Sequence, residues 1–142
     1  MIKSRFSISV HILSVLAKYS NEWISSDLIA GSLNTNPVVV RNEIGNLKRH
    51  GLVESKEGKG GGVRLAKPAD MITFAHILKA VKEEHIFGFA KNEPNPACPI
   101  GKQINERLHE FYCSIEDEMD GLLKNKKLST FIETFREETE MV

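Results

Sequence analysis

Residues 34–66, NTNPVVVRNEIGNLKRHGLVESKEGKGGGVRLA, decide the fold. Asn36 is a favourable N-cap residue, and Pro37 stands at the first helical position, where its missing N–H had no partner to lose. The helix that begins there carries apolar residues at helical spacing and ends at Gly51, a residue that readily takes the left-handed conformation of a helix terminus. The stretch therefore predicts a firmly capped helix that follows a short turn.

Two short strand-like runs follow this helix, at residues 52–56 and 62–66. Glycines at positions 58, 60, 61 and 62 surround and join them, and they permit positive φ angles and a tight hairpin tip. A capped helix with a β-hairpin directly behind it is typical of a helix-turn-helix with a wing.

Two amphipathic helices are predicted upstream. Residues 6–20 carry apolar side chains at three- and four-residue steps. A second helix begins after Ser25, its N-cap, and ends near Leu33. Since the turn before Asn36 is about three residues long, the second and third helices have helix-turn-helix spacing.

Three more helices are predicted downstream. Thr73 caps the fourth, residues 85–97 form an irregular loop, and a long helix runs from Pro99 to about residue 124. A last helix has a capping box formed by Thr130 and Glu133. Three apolar residues of that helix are expected to face the core: Phe131, Ile132 and Phe135.

The long helix carries an apolar stripe that starts at Ile100 and advances by three or four residues, close to a coiled-coil seam. We call its predicted dimer-interface part the seam: Ile104, Leu108, Phe111, Ile115, Met119 and Leu122. The fold class is therefore predicted as mainly α with a small β-hairpin. A winged helix-turn-helix at 1–84 is joined by a loop at 85–98 to dimerisation helices at 99–142.

The charge is zero overall but polarised along the chain. Residues 1–67 hold ten Lys or Arg against five Asp or Glu, whereas residues 68–142 hold nine against fourteen. A basic first half suits a polyanionic partner. The apolar segment 6–19 is interrupted by polar residues and too short to span a bilayer, and no signal-peptide pattern is present. We expect a cytoplasmic protein without a membrane partner.

The third helix offers side chains that suit base edges. The major groove admits one α-helix, whose first turns meet the bases. Here these positions hold Val38, Val39, Arg41 and Asn42. Arg pairs bidentately with guanine, Asn with adenine, and Val contacts the thymine methyl group, so double-stranded DNA is the predicted partner.

Phosphate contacts are expected around this helix and fix the register without reading sequence. Lys48 and Arg49 lie at its far end, and Lys59 and Gly60 at the wing tip. Arg5, before the predicted first helix, is a further candidate.

Three runs, LKRHGLVES (47–55), GKGGGVRLAKP (58–68) and ITFAHILKAV (72–81), resemble the Rrf2 family of bacterial transcription regulators. The resemblance covers nearly the whole chain, and the wing-to-helix motif is fairly specific. It implies a homodimer on a pseudo-palindromic operator, with the long helices crossing at the two-fold axis and repression as the usual mode.

Many members of that family carry three cysteines before the long helix, and these hold an iron–sulfur cluster. Here only Cys98 stands between Ile86 and Pro99, and Gly101 occupies a place where some cluster-binding members have histidine. One thiolate per subunit cannot supply the usual four ligands. We therefore expect no cluster and no other cofactor, as in the subgroup without the trio, to which YwnA-like proteins belong.

Cys98 has two interpretations. It precedes Pro99 at a helix N-terminus, and Lys102 lies one turn further on, so the thiolate is favoured. It is thus a redox candidate for a small oxidant or electrophile. The alternative is a small buried capping residue with no redox role.

Cys113 lies fifteen residues further along, roughly 22 Å away by helical rise, beyond disulfide reach. We expect it to be a core or interface residue. The five histidines are scattered without ligand spacing, and although His109 shares a helix face with Glu106 and Cys113, no metal site is predicted.

No catalytic residue is predicted. The sequence has no nucleophile–base constellation, and the glycines of the wing lack the strand-to-helix context of a dinucleotide motif. The sequence favours a sequence-specific DNA-binding regulator. The alternative is a winged-helix protein-interaction module that does not bind DNA.

Overall fold

The computed structural model describes residues 2–83 and 85–136, which are mainly helical with one two-stranded hairpin. This confirms the predicted fold class. The elements in chain order are α1 (Ile2–Lys18), α2 (Ser26–Leu33), α3 (Pro37–Arg49), β1 (Val53–Lys56), β2 (Gly62–Leu65), a short 3₁₀ turn (Ala69–Met71), α4 (Phe74–Val81), α5 (Pro99–Leu123) and α6 (Leu128–Glu133). Among the described helices, none combines the length and the apolar character that crossing a membrane requires.

Three predicted N-caps are present. The side chain of Ser25 accepts a hydrogen bond from the Leu28 amide at 3.1 Å, and Asn36 accepts one from the Val38 amide at 2.7 Å. Thr73 forms a reciprocal capping box with His76. These local bonds satisfy amides that a helix leaves unpaired, which explains why short polar signals located the helix starts.

The end of α3 and the hairpin also follow the local sequence. Gly51 has a φ of +74°, and the Leu52 amide donates to the Leu47 carbonyl at 3.0 Å, as in a Schellman cap. In the hairpin, Val53 lies opposite Leu65 and Lys56 opposite Gly62.

The core joins all the elements of the first half. The fully buried side chains include Ile12 and Leu16 of α1, Ile29 of α2, Leu47 of α3 and Ile77 of α4. These residues recur at helical spacing in their segments, so the amphipathic periodicity of the sequence predicts which helix faces pack in the core.

The last helix differs from its prediction. Helix α6 begins at Leu128, after Lys127 as a cap residue without a side-chain bond, so the predicted capping box of Thr130 and Glu133 is wrong. The Leu128 amide donates to the Ile72 carbonyl at 2.8 Å, which sets the start of the helix through a long-range contact. Phe135, predicted to face the core, is largely exposed.

Helix α6 packs on the first half of the chain. Leu128 is fully buried in the common core, and Phe131 meets the ring of Phe74 edge-on at 5.2 Å. The division into 1–84, 85–98 and 99–142 stays a prediction. Helix α6 falls in the predicted third unit but packs on the first. Residues 1, 84 and 137–142 of that division lie outside the described residues.

Candidate nucleic-acid interface

Helix α3 is fixed from behind by its buried face. Val40, Ile44 and Leu47 of that face belong to the core. Two polar side chains of α3, Glu43 and Asn46, are also buried. Since buried polar groups need partners, each of them ties α3 to a specific place.

Glu43 is paired with Arg5 of α1. The Nε of Arg5 donates to one carboxylate oxygen at 2.7 Å, and a terminal nitrogen donates to the other at 3.3 Å. The hydrogen bond with Glu43 raises the pKa of the Arg5 guanidinium. The guanidinium is thus held by Glu43 on the inner side of α3, and its predicted contact with a phosphate stays a prediction.

Asn46 provides the second tie. Its side-chain amide donates to the carbonyl of Ala80 near the end of α4 at 2.8 Å. Its side-chain oxygen accepts a long bond of 3.5 Å from Arg49. Helix α3 is therefore held to α1 and α4 by polar contacts as well as by apolar packing.

The outer face of α3 presents the four predicted base-reading residues together. Val38, Val39, Arg41 and Asn42 are all exposed, and Val38 keeps 53% of its surface accessible. An exposed valine pair beside Arg and Asn suits a groove that offers methyl groups and hydrogen-bonding edges.

The basic residues at the other end of α3 are exposed too. Lys48 donates to the hydroxyl of Ser55 on β1 at 2.8 Å, which links the helix to the hairpin. Arg49 follows it at the last helical position. Both are within reach of solvent, as contact with a phosphate requires.

The wing tip carries Lys59, which is exposed, and Gly60, whose φ is +79°. At Gly61 a Cβ would collide with the carbonyl oxygen of Lys56. At Gly62 it would approach the carbonyl oxygen of Ile24 to 2.6 Å. Close backbone approach therefore requires glycine at positions 61 and 62, whereas the positive φ angle favours it at Gly60.

Two cationic side chains of the hairpin pack on the ring of Trp23, and the sequence did not predict this contact. The guanidinium of Arg64 lies 4.1 Å from the ring centre of Trp23, and the ammonium of Lys56 lies 5.9 Å from it. Arg64 also pairs with Glu54 at 2.6 Å. The hairpin register, which sets Glu54 opposite Arg64, was a signal that could have revealed the pair.

Both cysteines are exposed. Cys98 is the N-cap residue of α5, as predicted, although its side chain makes no capping hydrogen bond. Its pKa is lowered because the backbone N–H groups of Gly101 and Ile100 stabilise the thiolate. Cys113 is not a core residue of this chain.

The apolar seam of α5 is partly exposed. Phe111 keeps 59% of its surface and Leu122 68%, and the other seam residues, Ile104, Leu108, Ile115 and Met119, are half-buried. Beside the seam, α5 packs on the loop, where the hydroxyl of Tyr112 donates to the Gly88 carbonyl at 2.7 Å.

Relatives with the same sequence pattern are transcription regulators. Residues 2–134 match the Rrf2 family model, described as an iron-dependent transcriptional regulator. YwnA of Bacillus subtilis, inferred to be an HTH-type transcriptional regulator, is 41% identical over 129 residues, 90% of this chain and 94% of YwnA. The HTH-type regulator IscR of Cereibacter sphaeroides is 32% identical over 82 residues, 57% of this chain and 53% of IscR.

Solved structures share the fold. A protein inferred to bind DNA is 34% identical, with a TM-score of 0.68 over 88% of this chain and 96% of its own. CymR, the global cysteine regulator of B. subtilis, has the same TM-score at 22% identity over 93% of this chain and 95% of its own, which shows the fold alone. On the family match and the identity to YwnA, the chain belongs to the Rrf2 family of DNA-binding transcription regulators.

Proposed function

We propose that the chain is a homodimeric repressor that reads a pseudo-palindromic operator with α3. The observation that carries this proposal is that α3 is anchored on one face and exposed on the other. Its inner face is tied to α1 and α4 through Glu43 and Asn46, and its outer face is exposed. A helix that is anchored on one face and exposed on the other is what base reading needs.

Base reading is assigned to Val38, Val39, Arg41 and Asn42, and phosphate contact to Lys48, Arg49 and the wing tip at Lys59 and Gly60. Three cations per protomer make six per dimer. With a salt slope of about −0.9 per phosphate, these six alone give a slope of about −5 in log affinity against log salt concentration.

The dimer is proposed to form through the seam of α5. The seam exposes apolar surface to water along a helix of 25 residues, which is unfavourable. A second copy that crosses the seam would bury this surface. Ile115→Glu in the centre of the seam should give a monomer, whereas Asn105→Glu, on an exposed position outside it, should leave the dimer intact. Sedimentation distinguishes the two states.

The family's iron–sulfur cluster does not fit the residues at Cys98. Cys98 supplies a single thiolate, and a Cβ at Gly101 would approach the carbonyl oxygen of Asn95 to 2.6 Å, so a histidine there would collide with the loop backbone. We therefore propose that the chain functions without a cluster at this position. Absence of visible absorbance after anaerobic reconstitution supports this, and a brown dimeric protein would overturn it.

Cys98 is proposed as a thiol that responds to a small oxidant or electrophile. Its exposure and lowered pKa favour reaction. Operator binding by the wild type and by Cys98→Ser should differ after mild oxidant. An equal response in both would exclude Cys98 as the sensor.

We further propose that the chain acts on chromosomal DNA in the cytoplasm and is not an enzyme, because its relatives are transcription regulators. The test of the main proposal is protection of the chain's own upstream DNA from nuclease. Two half-sites with centres about one helical turn, or a multiple of it, apart support the dimeric reader. Unprotected DNA at low salt contradicts it and favours a protein-interaction module.

A further inference from the structure

Three side chains of the types that commonly bind transition metals lie together on one side of α5. His85 comes from the loop after α4, and His109 and Cys113 lie one turn apart on α5. One ligand atom from each lies within 4.8 Å of the others. Within residues 2–83 and 85–136, no other three His, Cys, Asp or Glu side chains come this close.

The ligand atoms lie somewhat further apart than in a tetrahedral site. The Nε2 of His85 lies 2.9 Å from the Nδ1 of His109, and the other ring nitrogen of His109, Nε2, lies 3.7 Å from the Cys113 sulfur. One ion takes only one nitrogen of His109, so the set is described by the 4.8 Å limit within which one ligand atom from each residue falls. Nitrogen ligands about 2.1 Å from Zn²⁺ and a sulfur about 2.3 Å from it are separated by roughly 3.4–3.6 Å in a tetrahedron, so side-chain movements of about 1 Å would bring the three atoms to these separations.

A carboxylate fixes the orientation of His85. One oxygen of Glu116 lies 3.1 Å from the Nδ1 of His85, and the other accepts the Ile86 amide at 2.9 Å. The ring is thereby held with Nε2 toward His109. Metal-binding histidines commonly have such a carboxylate on the nitrogen that faces away from the ion.

The imidazole of His85 is largely shielded from solvent. Its side chain is only 6% exposed, and its ring packs against Tyr112 at 5.4 Å and Phe89 at 6.1 Å. By contrast, His109 and Cys113 are exposed, so an ion can enter from solvent. The site is shielded from solvent at His85 and open to solvent at His109 and Cys113, as in metal sites that keep one coordination position free.

We propose that His85, His109 and Cys113 bind one divalent transition-metal ion of the zinc type, with a fourth position open to water or an external ligand. Two imidazole nitrogens and one thiolate suit zinc and its neighbours in softness, whereas magnesium and calcium prefer oxygen. The single thiolate also sets this site apart from an iron–sulfur cluster.

The proposed site is independent of the Cys98 region and of the predicted dimer contact. On an α-helix, His109 and Cys113 lie roughly 120–160° around the axis from the centre of the seam. A second copy seated on the seam would thus leave the site open. The ion would join the segment after α4 to α5, and so connect the DNA-reading half to the proposed dimerisation helix.

Cobalt titration of the full chain tests the site, since a thiolate bound to Co²⁺ gives an intense charge-transfer absorption. We expect one Co²⁺ per chain, displaced by Zn²⁺. Cys113→Ser should abolish that absorption, and the matched control Cys98→Ser should retain it. His109→Ala should weaken Co²⁺ binding at least tenfold, and Glu116→Gln about 10–100-fold.

Alkylation gives a second readout. In the Cys98→Ser chain, Zn²⁺ should slow the alkylation of Cys113. The fluorescence of Trp23, the single tryptophan, reports whether each variant is folded. The proposal is overturned if the wild type binds no Co²⁺, if Cys113→Ser keeps the absorption, or if Zn²⁺ leaves the alkylation rate unchanged. Fast alkylation that is insensitive to Zn²⁺ would instead indicate a thiol activated by His109.

Discussion

Replacing Arg5 by methionine separates a positioning role from a phosphate contact. In the structure Arg5 makes two hydrogen bonds to Glu43, whose side chain is only 9% exposed. The variant leaves that carboxylate buried without its cation. Hydrogen bonds to charged groups contribute about 1.5–3 kcal/mol, and loss of a buried partner costs about 3–5 kcal/mol.

The expected loss of stability is at the lower end of this range. The Arg5 side chain is 29% exposed, so solvent screens part of the interaction. We expect the free energy of unfolding to fall by about 2 kcal/mol. With a urea slope of about 2 kcal/mol per molar, the midpoint should fall by about 1 M.

Urea unfolding followed through Trp23 fluorescence measures this change, at one fixed chain concentration because association affects apparent stability. The double variant Arg5→Met, Glu43→Leu should recover most of the loss, since no unpaired carboxylate remains. Where DNA binding is still measurable, the salt slope of Arg5→Met should equal that of the wild type. Unchanged stability together with a slope reduced by about 1 per protomer would refute the positioning role.

Three further variants test the wing and Cys98. Lys59→Ala should weaken binding to all DNA sequences alike and reduce the salt slope by about 1 per protomer, as a filter-binding salt series would show. Gly62→Ala should lower the unfolding midpoint because its Cβ would meet a backbone carbonyl at 2.6 Å, whereas Gly121→Ala, in open space on α5, should not. In the Cys113→Ser chain, the alkylation rate of Cys98 should rise with pH about a midpoint below the ordinary thiol value of about 8.5, because the thiolate is the reactive form. A midpoint at the ordinary value would show that the helix amides do not stabilise it.

The predictable part of the structure was the part governed by neighbours in sequence. Asn36 and Thr73 cap their helices through bonds to residues two or three positions away. Gly51 ends α3 for the same kind of local reason. Such bonds are formed within one turn of the chain, so residue types and their spacing specify them.

The parts that escaped prediction depend on distant contacts. Arg5 and Glu43 are 38 residues apart, and His85 and His109 are 24 apart. Spacing rules for ion pairs and metal ligands apply within one helix or loop, so neither contact was visible. The start of α6 was missed for the same reason, because the Leu128 amide binds a carbonyl far back in the chain.

The central claim is that α3 reads base sequence, and affinity for operator against unrelated DNA tests it most directly. Arg41→Ala should weaken binding to the recovered operator by about 1–3 kcal/mol per site, and leave binding to unrelated DNA nearly unchanged. The wild type should prefer the operator by at least about a thousandfold at physiological salt. Equal affinity of the wild type for both DNAs, or no binding to either at low salt, would contradict the account.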